Sequence, residues 1–387
     1  MIITKTAAIY THKKPPLNLL LTLTCILSAL GFLFVYSSSS VYAFEHYQTA
    51  RYFLYKQLLG FIIGIIGFTT ACFIPLRIWY TWAPLLYIGS LIITGLTLIS
   101  AIGRTLNGSS RWIGYKGLSV QSSETLKIAL IIYIASLITK KEHNPPSLVF
   151  NFLPCILAIA VPTIILLKQP DFGLAVTLAA TASIMMLVAG YQTRYLLYSM
   201  LASIPTIVAL VAFRPYRLKR ILIFFNPWQD PQGAGFQIIQ SLIAIGSGGL
   251  WGTGIAGSKQ KFFYLPMQHT DFIFSIIAEE IGFIGSCTII FLYALMAYCG
   301  ISIAWHCQSR FAQLVIVGCT TLLSLEALIN LAVSTGMAPT KGIGLPFISY
   351  GNSALACHIT IIGIIYSIAR SDWNTTVHRF ENNSISL

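Results

Sequence analysis

Charge is what this chain has least of. Of its 387 residues only 9% are Asp, Glu, Lys or Arg, and just 11 are acids. A soluble domain carries about 25% charged residues, so a globular protein with a water-facing surface is excluded. With 56% hydrophobic residues, the natural solvent of the chain is lipid. Metal-ligand spacing is missing as well. The eight cysteines contain no CxxC pair; Cys25, Cys72, Cys155, Cys287, Cys299, Cys319 and Cys357 fall inside apolar runs and Cys307 in a short inner loop. They read as small packing residues, without the arrangement of a disulfide framework or a zinc site. Low-complexity segments and separate soluble domains are absent.

What is present is a series of apolar stretches long enough to cross about 30 Å of hydrocarbon. Ten are expected, near 17–38, 53–74, 79–103, 124–139, 148–167, 173–190, 195–213, 272–304, 311–335 and 353–370. The expected fold is an all-α polytopic membrane protein: an N-terminal tail over 1–16, a ten-helix domain over 17–370, and a polar, disordered C-terminal tail over 371–387. The first stretch is too long for a signal-peptide core, so it reads as a permanent helix. Lys5, Lys13 and Lys14 before it place the N-terminus in the cytoplasm, and ten crossings return the C-terminus there. Two outer loops, 104–123 and the long 214–271 between helices seven and eight, hold much of the +13 formal charge with only Asp230 and Asp271 as local acids. Either an anionic ligand at the outer face or attraction to anionic headgroups accounts for that.

Four outer stretches carry candidate chemistry. The first runs from Arg104 through Asn107-Gly108, a turn signal, and Arg111-Trp112 to Ser122-Ser123-Glu124 and Lys127. Glu124 and Lys127 stand at i, i+3, the spacing of an ion pair on a helix. In the second, Gln169-Pro170-Asp171-Phe172-Gly173, Asp171 sits at a helix entrance, where an acid favours the positive end of the macrodipole. The third, 214–271, is long for a connection in a compact bundle. It opens on Arg214, Arg217, Lys219 and Arg220, is broken by glycines between 246 and 257 in the manner of a re-entrant or interfacial segment, and ends on His269-Thr270-Asp271. The fourth, Pro339-Thr340-Lys341-Gly342 to Ser349-Tyr350-Gly351, is irregular backbone of the kind that lines a cavity. Asp271 is an ionisable group at the mouth of an apolar helix, a functional candidate by position, although a helix cap is the competing reading. His269 reads as structural. Glu279 and Glu280, further along the same helix, could face an internal polar cavity.

Over nearly the whole chain these stretches resemble, in order, the SEDS family of bacterial cell-shape and division proteins: NGSSRWI with QSSE and Lys127, QPDFG, FFNPWQDPQGAGFQIIQS, GGLWGTG, LPMQHTDFIF with AEEIGFIG, and PTKGIGLPFISYG. The PTKG form resembles the division branch more than the elongation branch. The resemblance implies a peptidoglycan glycosyltransferase of the cytoplasmic (inner) membrane, working at the division site with its active site on the extracytoplasmic face. Its substrate would be lipid II, an undecaprenyl-pyrophosphate-linked disaccharide-pentapeptide. It also implies Asp271 as the catalytic residue of the family pattern, expected to act as general base, with Arg111, Lys127 and Lys341 expected to stabilise the departing pyrophosphate and Glu124 and Asp171 at supporting positions. Arg217 and Arg220 are nominated from charge as pyrophosphate ligands, and His269 and Ser349 as supporting residues. A class B penicillin-binding protein, a transpeptidase, and other division proteins are the implied partners, and nucleic acid is not. No cofactor is required by the pattern, although a divalent cation, Mg or Mn, is compatible with a pyrophosphate leaving group. Other readings are a lipid II transporter, a scaffold for a partner enzyme, and an elongation polymerase. Three departures from the pattern stand out: Met267 where relatives usually have glutamate, Ser122 for proline, and Asn352 for glycine.

Overall fold

The computed structural model describes residues 15–99, 103–106, 109–115, 118–141, 152–212, 215–233, 235–262 and 264–385. Each expected crossing coincides with a helix. In chain order these are α1 (Leu17–Tyr47), α2 (Tyr52–Phe73), α3 (Leu76–Leu96), α4 (Ser122–Lys141), α5 (Leu153–Lys168), α6 (Phe172–Val188) and α7 (Thr193–Ala212). After two further helices, α8 (Pro215–Phe225) and α9 (Phe236–Ser247), come α10 (Ile273–His306), α11 (Arg310–Ser334) and α12 (Asn352–Ile385). Among the described residues, α1–α4 and α10–α12 are long and apolar enough to span a bilayer, while α5 and α6 are shorter apolar helices. All eight cysteines are free.

Apolar faces buried between helices make the bundle core, and small residues decide which helices approach most closely. Gly60 and Gly64 of α2 face α12, where an added Cβ would meet the Asn352 carbonyl at 2.7 Å and the Ile359 side chain at 2.9 Å. Between lipid-immersed helices there is little hydrophobic drive, so such close backbone contact supplies the dispersion energy of association. The buried stripe of α11, from Phe311 and Leu314 through Leu322 and Leu323, packs between α6, α10 and α4.

Two elements differ from expectation. The outer loop before α4 folds into a three-stranded antiparallel sheet, β1 (Gly103–Leu106), β2 (Ser109–Tyr115) and β3 (Leu118–Gln121), in the order β1-β2-β3. The Asn107-Gly108 turn signal falls outside the described residues, between the paired ends of β1 and β2. The polar tail after Ser371, expected to be disordered, instead continues α12 to Ile385. Its polar side chains do not stop a helix, because helical backbone satisfies its own hydrogen bonds whatever its solvent.

The segment between α7 and α10 is not a loop in the ordinary sense. Its apolar part, α9, has 12 residues and is too short to cross. Beyond it the glycine run packs against a break in α10 at Gly282 (φ 67°, ψ −167°). The backbone groups released by the break are taken up across the gap: Thr253 N donates to Glu279 O, Gly254 N to Glu280 O, and Phe283 N to Gly249 O, at 2.8–3.0 Å. Only glycine fits, since a Cβ on Gly282 would stand 2.6 Å from Leu250 O. This is how irregular backbone survives at membrane depth: groups freed at the break, the Glu279 and Glu280 carbonyls and the Phe283 N–H, find partners in the glycine run.

Candidate functional site

The connections α1–α2, α3–α4, α5–α6, α7–α10 and α11–α12 all lie at one end of the bundle, and hydrogen bonds join four of them in two pairs. Arg111, on β2, reaches Asp171 before α6 at 2.5 Å. Arg220 of α8 donates to Thr340 O at 3.0 Å. Tyr350 N donates to His269 O at 2.9 Å. Ser349 Oγ accepts from Leu345 N at 2.6 Å and donates to Thr270 O at 2.7 Å.

The two candidate acids at helix mouths prove to be different. Asp171 is buried, caps α6 by accepting from Leu174 N, and is neutralised by Arg111. Asp271 does none of this. The helix begins two residues later, its cap position is Phe272 with no side-chain capping bond, and the Asp271 carboxylate has no hydrogen bond or ion pair among the described residues. A cap is therefore not its role. Burial pushes its carboxyl up to about 6, against the pull of the Arg111 and Arg220 charges and with a further push from Asp171. A half-buried carboxylate of that value titrates just below neutrality and is ionised at pH 7, as a general base must be.

Gly342 lies across from it. An ideal Cβ there would stand 3.5 Å from Asp271 Oδ2 and 3.9 Å from Arg111 Nη2, so the missing side chain leaves a gap between a base and a guanidinium. Next to it, Lys341 has no ion pair among the described residues; its ammonium stands 5.2 Å from the Phe172 ring centroid, and burial lowers its pKa. The charges of Arg111 and Arg220 thus act on Asp271, and Lys341 stands next to Gly342 in the chain with its ammonium over Phe172, while Arg214 lies outside the described residues and Arg217 lies where only backbone is described. His269 is packed among Phe53, Tyr350 and Tyr42, with ring centroids at 4.5, 5.6 and 5.7 Å, and burial lowers it to about 4, so it is neutral.

Lys127 is not brought to this place. It points into the bundle, 2% exposed, and pairs with Glu124 at 2.7 Å and with Glu326 of α11 at 2.6 Å; Glu326 also meets His358 Nε2 of α12 at 2.8 Å. Its charge is committed to holding α4, α11 and α12 together. Sequence reasoning passed over Glu326, although an acid within an apolar helix is signal enough. Glu279 and Glu280 are committed too, without lining an open cavity. Glu279 accepts from Ser258 Oγ and Lys259 N, fastening the loop beside the Gly282 break, and Glu280 accepts from Ser37 Oγ of α1.

Among the described residues no three His, Cys, Asp or Glu side chains come together, and Asp171, the acid nearest Asp271's cations, is paired with Arg111; a divalent cation at this place would be held by Asp271 together with substrate phosphates.

Residues 17–374 match the cell cycle protein family of FtsW, RodA and SpoVE. The chain is 44% identical over 351 residues to a probable peptidoglycan glycosyltransferase FtsW of Trichlorobacter lovleyi, covering 90% of this chain and 92% of that one. It is 38% identical over 360 residues to the stage V sporulation protein E of Bacillus subtilis, covering 93% and 98%. Among solved structures, it is similar to a chain of a peptidoglycan synthase complex that coordinates polymerization and crosslinking (TM-score 0.76, 30% identity, covering 91% and 97%). It is also similar to the rod shape determining protein RodA of Thermus thermophilus (TM-score 0.68, 26% identity, covering 91% and 96%).

Proposed function

Since the chain belongs to the FtsW, RodA and SpoVE family of cell cycle proteins, we propose that it is a peptidoglycan glycosyltransferase that polymerises lipid II at the division septum, on the outer face of the bacterial inner membrane. The observation that carries this reading is an unpartnered carboxylate of raised pKa, Asp271, facing Arg111 across the Gly342 gap and within the field of Arg220. Asp271 accepts the proton of the 4-hydroxyl of the incoming lipid II sugar as that oxygen attacks the anomeric carbon of the growing chain, with inversion. The bond from that carbon to the pyrophosphate breaks, and undecaprenyl pyrophosphate leaves with the electron pair. Because it departs as a stabilised anion it needs no general acid, which is why one carboxylate suffices where glycoside hydrolases use two. Lys341 and Arg220 stabilise the departing charge, with Arg111 sharing its guanidinium between Asp171 and the gap. Lys127, the further ligand expected from sequence, acts on structure alone.

The carboxylate and cation cluster favour an enzyme over a scaffold. A transporter working by alternating access calls for broken helices in corresponding halves; the break described at Gly282 is held shut by the glycine run. The partner is a class B transpeptidase, a reading supported by the similarity to a synthase complex that both polymerises and crosslinks. Reconstitution with labelled lipid II tests the whole: glycan polymer is expected, translocation without polymer would establish the transporter, and neither would leave the scaffold.

A further inference from the structure

Three successive carbonyls lead into α10, and each is held from outside the segment. His269 O accepts from Tyr350 N at 2.9 Å, Thr270 O from Ser349 Oγ at 2.7 Å, and Asp271 O from Asn330 Nδ2 at 2.8 Å. The first two bonds come from the loop following Lys341. The third comes from α11, and Asn330 does more than the others. The same Nδ2 also donates to Ile343 O at 2.8 Å. Two carbonyls require two N–H donors, so the orientation of this amide follows from its partners. Its Oδ1 is then left buried without a partner, at a residue 1% exposed. An orphaned buried acceptor is destabilising, because it has given up water without gaining a partner. Packing alone would favour an apolar side chain of this size.

We propose that Asn330 is a positioning residue for the transfer reaction: its amide spans the backbone of Asp271 and the backbone beside Gly342, setting the separation of base and cations. It touches no reacting atom. With Asp271 O and Ile343 O both fixed to one side chain, only χ1 and χ2 of Asp271 remain to aim the carboxylate across the gap at Gly342. The inference rests on the reading of Asp271 as the base.

The test uses full-length protein polymerising labelled lipid II. Asn330→Ala removes both bonds, and the isosteric Asn330→Asp retains at most one when protonated. Ser241→Ala is the matched control. Its hydroxyl bonds Ser334 O at 2.6 Å and Ser275 Oγ at 2.5 Å, tying α9 to the same α10 and α11 one turn beyond Asp271 without a bond to residues 269–271. Displacing a reacting group by about 1 Å loses about 10²-fold in rate, so kcat should fall by about that factor for Ala and less for Asp, with KM changed less than about threefold. The acid limb of the pH–rate profile should also move down from about 6, as a released carboxyl escapes its buried position. Ser241→Ala should alter neither. Wild-type kcat and limb in either folded Asn330 variant, or an equal loss in Ser241→Ala, would overturn the proposal, and Asn330→Asp decides alone if Asn330→Ala does not fold. Asp271→Asn separates the two ideas: full activity there removes the base and this inference with it. An inactive Asp271→Asn beside a normal Asn330→Ala removes the positioning role only.

Discussion

Replacing Asp271 by Asn should abolish catalysis while making the protein more stable, and the pH at which the stability gain appears is set by the site itself. The carboxyl is raised from 3.8 to about 6, chiefly by burial. A raised folded-state pKa in an acid means that the unfolded chain ionises first. Below about pH 4 both states are protonated and Asp271 contributes nothing. Between about pH 4 and 6 the unfolded state loses its proton while the folded state keeps it, so stability falls. Above about pH 6 the full difference is present. One pKa unit corresponds to about 1.4 kcal/mol, so two units give roughly 3 kcal/mol. Partial solvent access to the carboxylate reduces this to about 1–3 kcal/mol. Asparagine has the same shape and never ionises. The variant should therefore unfold at a higher temperature than the wild type at pH 7.5, and the two curves should converge near pH 4. Lipid II polymerisation by the same preparation should fall by about 10²–10⁴, the usual contribution of a general base. Thermal unfolding in detergent at both pH values, paired with the polymerisation assay, checks both halves. A variant that is inactive and also less stable than wild type at pH 7.5 would show that Asp271 holds the fold together and would refute the argument.

In the wild type, kcat/KM should fall tenfold per pH unit below about 6, because protonated Asp271 cannot accept the hydroxyl proton; a flat profile from pH 5 to 8 would exclude it as the base. Lys127→Met leaves Glu124 and Glu326 buried without their shared cation. It should lower stability by about 3–5 kcal/mol, read as lost folded yield, with KM unchanged in what survives. A raised KM at normal stability would instead return Lys127 to the pyrophosphate. Gly342→Ala should be tolerated, since its Cβ would make ordinary contacts at 3.5 and 3.9 Å. Gly342→Val puts two further methyl groups into the gap beside Asp271 and should raise KM for lipid II, checked by steady-state kinetics; equal KM for glycine and valine would show that the gap is not where substrate sits.

Much of the site was legible along the chain because its parts are unusual in lipid. Asp271, Asp171, Arg111 and Lys341 stand out as charges in a sequence that has few, and periodicity and length placed the two aspartates at helix mouths and the two cations in outer loops. Their division of labour was not legible. Asp171 and Asp271 both precede an apolar run by local pattern, and only the position of Arg111 between them makes one a neutralised cap and the other a free base. Lys127 was readable as either an ion-pair member or a phosphate ligand. Glu326 decides between these, yet it lies 199 residues away. Asn330 carried no signal at all, because a lone amide in a helix looks like any polar packing residue until its two acceptors are known.

Composition and the spacing of apolar runs by themselves determined that the protein is a helical membrane protein and which segments form its core helices, since crossing hydrocarbon demands length and apolarity that can be counted in one dimension. Local patterning also marked Asp271. The tertiary structure alone decided the sheet before α4, the break at Gly282, the burial of Lys127 and the pinning of residues 269–271. Each depends on hydrogen bonds or ion pairs between residues far apart in the chain. In a medium without water, a polar group's role is set by the partner it finds, and that partner is a property of the fold.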